Sequence, residues 1–98
     1  MANIETTTGS LKRAHILLSA IASGSNKGST LVEIVNSTGL PRPTIHRVIG
    51  MLITMEWIRR NNEDGRYRLG TAIAKLGYCA MNYHVPEKLI SEEHESSE

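Results

Sequence analysis

Apolar residues recur along this chain at two different spacings, and the change of spacing divides it. Leu11, Ala14, Leu17, Leu18 and Ile21 fall three or four apart and predict a helix with one apolar stripe, with Ser10 as its N-cap. Residues 1–9, rich in Thr and without periodicity, are expected to form a flexible N-terminal arm. Ser23 to Gly28 reads as a loop. Thr30-Leu31-Val32-Glu33 then has the form of a capping box, which opens a second helix with Leu31, Ile34 and Val35 on its inner face. Thr38-Gly39 ends that helix, because glycine takes the left-handed C-terminal position readily.

Leu40-Pro41-Arg42-Pro43 is a short, stiff connector to a third helix that starts at or near Pro43 and ends around Met55. Ile45, Val48, Ile49 and Leu52 share its inner side. Pro43, His46, Arg47 and Gly50 lie opposite, and Thr44 sits on the flank. Past Met55 the period falls to two. Residues 57–60 and 66–69 read as strands joined by a turn containing Asp64-Gly65, with Tyr67 and Leu69 on one face and Arg66 and Arg68 on the other. Gly70 breaks the second strand. A fourth helix follows from about Thr71 with Ala72, Ile73, Leu76, Ala80 and Tyr83 as its stripe, core up to Leu76 and partner-facing beyond, and Pro86 marks its end.

This order is a mainly α fold with a small β-hairpin, a winged helix-turn-helix: an arm (1–9), a three-helix core plus wing (10–70), a linker helix (71–85) and an acidic tail (86–98) expected to be disordered. Such an arrangement has a physical use. The major groove of B-DNA is roughly 12 Å wide and admits one helix. Two helices hold the third so that it protrudes, and the hairpin brings further cations beside it.

Charge sharpens the picture. The chain has 98 residues and a net charge of +1, but residues 1–80 carry ten Lys and Arg against five Asp and Glu, while 81–98 carry one Lys against five Glu. Seven of the cations fall within residues 42–75, against three acids. A basic body points to a polyanionic partner. Candidate contacts with double-stranded DNA are Arg42 beside the start of the third helix, Thr44, His46 and Arg47 on that helix, and Arg60, Asn62, Arg66 and Arg68 on the wing. Arg47 is read either as a base or phosphate contact or as a solvated side chain paired with Glu56. Thr44 is a phosphate-binding hydroxyl or a helix-end cap. Arg66 and Arg68 are a DNA contact or a solvated sheet surface.

Several classes of function are excluded. Four histidines without metal-ligand spacing and a single cysteine, Cys79, predict no metal site, no internal disulfide and a reducing, cytoplasmic setting. No phosphate-binding loop or nucleophile–base pair is recognisable, so no enzyme and no cofactor are expected. No apolar run approaches the roughly 20 residues of a membrane span, and the opening residues lack the pattern of a signal peptide.

The segments Leu31-Val32-Glu33-Ile34-Val35, Thr38-Gly39-Leu40-Pro41-Arg42-Pro43-Thr44-Ile45-His46-Arg47-Val48-Ile49 and Gly65-Arg66-Tyr67-Arg68-Leu69-Gly70, with Ser10-Leu11-Lys12-Arg13-Ala14 before them, resemble the N-terminal DNA-binding domain of IclR-type transcriptional regulators. The resemblance spans about residues 10–80. It implies that the third helix is the recognition helix, that Thr44 and Arg47 match DNA-contacting positions, and that residues 71–83 match a linker helix serving dimerisation, through Ile73, Leu76, Ala80 and Tyr83 here. It implies a bacterial regulator, more often a repressor, bound as a homodimer to a pseudo-palindromic operator. Members of the family continue into a C-terminal domain that binds a small-molecule effector, and these 98 residues do not extend into it. Two alternatives remain: a winged helix that serves only as a protein-interaction module, and a truncated regulator acting through mixed dimers.

Overall fold

A computed structural model describes residues 4–83, with side chains described over 9–82. The expected acidic tail, 86–98, and the stop at Pro86 lie outside the described residues, as does the Tyr83 side chain. The element order is α1 (Ile4–Ala22), α2 (Leu31–Thr38), α3 (Arg42–Thr54), β1 (Ile58–Arg60), β2 (Tyr67–Leu69) and α4 (Thr71–Tyr83).

Leu17 and Ile21 of α1, Ile34 of α2, Ile45, Val48, Ile49 and Leu52 of α3 and Ile58 of β1 form one aliphatic core. Ala14, Leu18, Leu31, Val35, Leu40, Trp57 and Tyr67 close around it. All four residues expected on the inner side of α3 are buried. The capping box of α2 is present in both halves: the Glu33 N–H donates to Thr30 Oγ1 at 3.1 Å, and the Thr30 N–H donates to Glu33 Oε1 at 3.0 Å. Gly39 takes the left-handed C-cap position, its N–H donating to Val35 O.

Three expectations need correction. First, α1 begins at Ile4, so Ser10 lies inside the helix rather than at its cap, and residues 4–9 are helical rather than a separate arm. The run of Thr lowers helix propensity, but a few tenths of a kcal/mol per residue do not stop a helix already anchored further along. Secondly, Leu11 is 68% exposed despite its place in the apolar stripe. It sits on the first part of α1, and the buried residues of this helix start only at Leu17. Thirdly, Leu76 is 56% exposed and is not core. The half-buried part of α4 ends at Ile73.

The two strands pair antiparallel, with Ile58 opposite Leu69, Arg59 opposite Arg68 and Arg60 opposite Tyr67. Alternation therefore puts Ile58, Arg60, Tyr67 and Leu69 on one face and Arg59 and Arg68 on the other. Ile58 and Tyr67 pack inward, whereas Leu69, at the strand end, is 37% exposed. A bridge between Ser29 and Tyr67 lays the loop before α2 along the free edge of β2.

At its C-terminus α3 closes with two reverse bonds, Glu56 N–H to Ile53 O at 2.9 Å and Trp57 N–H to Leu52 O at 2.9 Å. This is the Schellman arrangement, with Glu56 (φ 63) where glycine is usual. It turns the chain sharply, so Trp57 returns to the core and β1 starts at once.

Candidate nucleic-acid interface

The turn between α2 and α3 is closed by local bonds. Thr38 Oγ1 donates to Ile34 O at 2.8 Å and accepts from the Leu40 N–H at 3.2 Å. Pro41 is the N-cap of α3 and supplies no side-chain cap. The start of α3 therefore presents backbone donors and the positive end of its dipole without a side chain satisfying them.

Arg42, Pro43, His46, Arg47 and Gly50 are all exposed along one side of α3, and Thr44 is half-buried on its flank. Arg47 makes no ion pair among the described residues, so the pairing with Glu56 considered from the sequence is not present. The second half of α3 has a different character. Met51 and Met55 are 46% and 47% exposed and line a narrow apolar groove with Leu11, Ala14 and Trp57. The polar face is thus confined to the first two or three turns.

The wing adds a second cluster of cations. Arg59, Arg60, Asn61 and Arg68 line a cleft of about 250 Å³. The Arg60 guanidinium lies 5.9 Å from the centre of the Tyr67 ring, the outer range of a cation–π contact. Arg68 approaches Asp64 only at 4.0 Å, and both remain partly solvated. The tip is shaped by Asn61 Oδ1 accepting from the Glu63 N–H at 2.7 Å and Asp64 Oδ1 accepting from the Arg66 N–H at 2.9 Å, which leaves Asn62 exposed. Arg59 was not among the residues singled out from the sequence. The strand alternation that sets it opposite Arg68 is the signal that would have found it.

Arg66 differs from the other candidates. Its guanidinium Nη1 donates to Gly28 O at 3.1 Å and stands 3.7 Å from Glu33 Oε1. Of the expected partner-facing residues, Leu76 and Ala80 are exposed on α4, together with Tyr78 and Met81, while Ile73 is half-buried. Cys79 is exposed. No cluster of metal-binding side chains occurs among the described residues, and none of their helices is long and apolar enough to cross a membrane.

Comparison with known proteins bears on this arrangement. The IclR helix-turn-helix domain family matches residues 10–62. A glycerol operon regulatory protein of Streptomyces coelicolor is 31% identical over 75 residues, which is 76% of this chain and 29% of that protein. Crystal structures of an IclR transcriptional regulator from Alicyclobacillus acidocaldarius (TM-score 0.68, 27% identity) and of HmgR from Pseudomonas aeruginosa (TM-score 0.70, 23% identity) each align over 76% of this chain and 30% of theirs. The second of these speaks to the fold alone. The chain thus spans about a third of the length of the relatives it matches.

Proposed function

This chain belongs to the IclR helix-turn-helix family, and on that premise we propose that it binds double-stranded DNA sequence-specifically for a bacterial transcriptional regulator, as a homodimer on a pseudo-palindromic operator, in the cytoplasm and more often as a repressor. The observation that carries this reading is the exposed start of α3, which has no side-chain cap, with Arg47 exposed on it and in no ion pair among the described residues, in a chain that also carries the arginine-lined cleft of the wing. In this reading α3 enters the major groove. Arg47 reaches a base edge or phosphate, Thr44 and Arg42 hold phosphates at the helix start, and His46 donates to the backbone. Arg60, Asn62 and Arg68 of the wing meet the adjacent backbone or minor groove.

Dimerisation follows from size. A single module of this kind buries too little surface for strong specificity, and the exposed Leu76 and Ala80 of α4 offer an apolar seam. Effector binding has no part in the reading of these 98 residues. A purely protein-binding winged helix is disfavoured because the protruding part of α3 is polar.

The test is a fluorescence-anisotropy titration of labelled duplexes, enriched by an unbiased selection, at several salt concentrations. Neutralising about six phosphates makes affinity fall roughly a thousandfold between about 50 and 200 mM salt. Weak affinity that does not change with salt would overturn the proposal.

A further inference from the structure

Among the described residues, Arg66 differs from the cations assigned to DNA above in that its guanidinium is hydrogen-bonded to the protein, at Gly28 O. It stands immediately before β2, half-buried, with its backbone N–H held by Asp64 and its guanidinium directed across the molecule to residues 28 and 33. The oxygen it faces on Glu33 is the one that accepts the Thr30 N–H, so the guanidinium joins the capping box of α2. Beside it, Ser29 and Tyr67 exchange two backbone bonds, of 2.9 and 2.8 Å. Gly28 (φ +100) is pressed so close to β2 that an added Cβ would meet Tyr67 O at 3.0 Å and Arg66 Cβ at 3.1 Å.

We propose that Arg66 is a positioning residue: it locks the wing to the N-terminus of α2, and so to the helix-turn-helix, and neutralises no phosphate itself. This rests on the DNA-binding reading above. A two-stranded ribbon is marginal alone and takes its orientation from what it packs against. Here the ribbon has an apolar attachment, through Ile58 and Tyr67, and a polar one, through the Ser29–Tyr67 backbone bonds and the Arg66 guanidinium beside them. Because α2 is joined to α3 by the closed Thr38–Pro41 turn, fixing the wing on α2 sets the spacing between its arginines and the face of α3. Both Arg66 contacts are made by Nη1, the outer nitrogen of the guanidinium, which lies one bond further from the backbone than a lysine ammonium reaches.

The experiment compares the wild-type chain with Arg66→Gln and Arg66→Lys, alone and in an Arg60→Gln/Arg68→Gln background. Amide hydrogen exchange is read on the free protein, and affinity for a duplex selected by the wild type is read against salt. Both Arg66 variants are expected to speed exchange at Ser29 and Tyr67 about fivefold, the effect of losing one ordinary hydrogen bond. Each should also lower the slope of log affinity against log salt by about 2, since Arg60 and Arg68 lose their phosphates with the wing. In the background lacking those two arginines, Arg66→Gln should change affinity by less than about twofold. A lysine that keeps wild-type affinity, with a glutamine that lowers the slope by about 1 and acts additively in that background, would identify a direct phosphate contact and overturn the proposal. Unchanged exchange at Ser29 and Tyr67 would also overturn it and leave DNA binding intact. A wild-type chain without salt-dependent binding would remove the DNA-binding reading, and this inference with it.

Discussion

Gly70 lies flat against the main chain of Glu56, at a separation that leaves no room for a side-chain carbon. The approach is held by two bonds, the Gly70 N–H to Trp57 O at 2.7 Å and the Ala72 N–H to Glu56 O at 3.0 Å. These seat the start of α4 on the bend that follows α3. Since Glu56 and Trp57 also close the Schellman turn, one small region fixes the end of α3, the start of the wing and the origin of the linker helix.

The substitution Gly70→Ala is therefore expected to destabilise the fold by about 1–3 kcal/mol, because the atoms it meets are backbone and cannot rotate away. For a domain of this size that is a fall in melting temperature of roughly 4–8 °C per kcal/mol, measurable by calorimetry. Glu56→Gly is the counterpart. It removes the cost of a side chain in the left-handed region and should hold or raise the melting temperature. An alanine at 70 that melts with the wild type would show that the close approach is not required.

Much of this fold was legible in the sequence. The stripe Ile45, Val48, Ile49 and Leu52 is buried, Thr30 and Glu33 cap α2 in both directions, and Gly39 ends it. These features are local: spacing of three and four, a hydroxyl three residues before a carboxylate, a glycine after the last turn. What escaped was set by tertiary geometry. Helical spacing says that Leu11 and Leu76 share a face with core residues but not how far the neighbouring elements extend, and both prove exposed. Strand alternation put Arg66 beside Arg68. It could not show that a loop 38 residues earlier returns to the edge of β2 and takes the guanidinium of Arg66. The same limit applies at Glu56, whose side chain gives no sign of a left-handed backbone.

Thr30→Ala should remove the acceptor for the Glu33 N–H and cost about 1 kcal/mol by denaturant unfolding, with Thr30→Ser recovering most of it. The bond involved is local to the first turn of α2, so a loss well beyond 2 kcal/mol would mean that the box also supports the loop against β2.

Arg47→Ala should leave the melting temperature unchanged, since the side chain is exposed and has no ion pair among the described residues. Its effect belongs to DNA. If the guanidinium reads a base edge, the variant loses about 1–3 kcal/mol of discrimination at one base pair while binding other sequences almost as before. Competition of selected and single-substituted duplexes measures this. Equal weakening on every sequence would instead assign Arg47 to a phosphate.

Leu76→Glu tests the seam on α4. Leu76 and Ala80 lie one helical turn apart, exposed with Met81 nearby, and α4 is tied to the bend after α3 at its first turn. A glutamate here disturbs little within one chain, so the fold should survive unchanged by circular dichroism. Between two copies it would put like charges where apolar surface should meet. Sedimentation should then show a shift toward monomer, and affinity for a duplex with two half-sites should fall toward that for a single half-site. Affinity for the single half-site should stay as it was, because α3 and the wing are untouched. If the two-half-site affinity is retained, the seam lies elsewhere, and the apolar groove of Leu11, Met51, Met55 and Trp57 becomes the next surface to substitute.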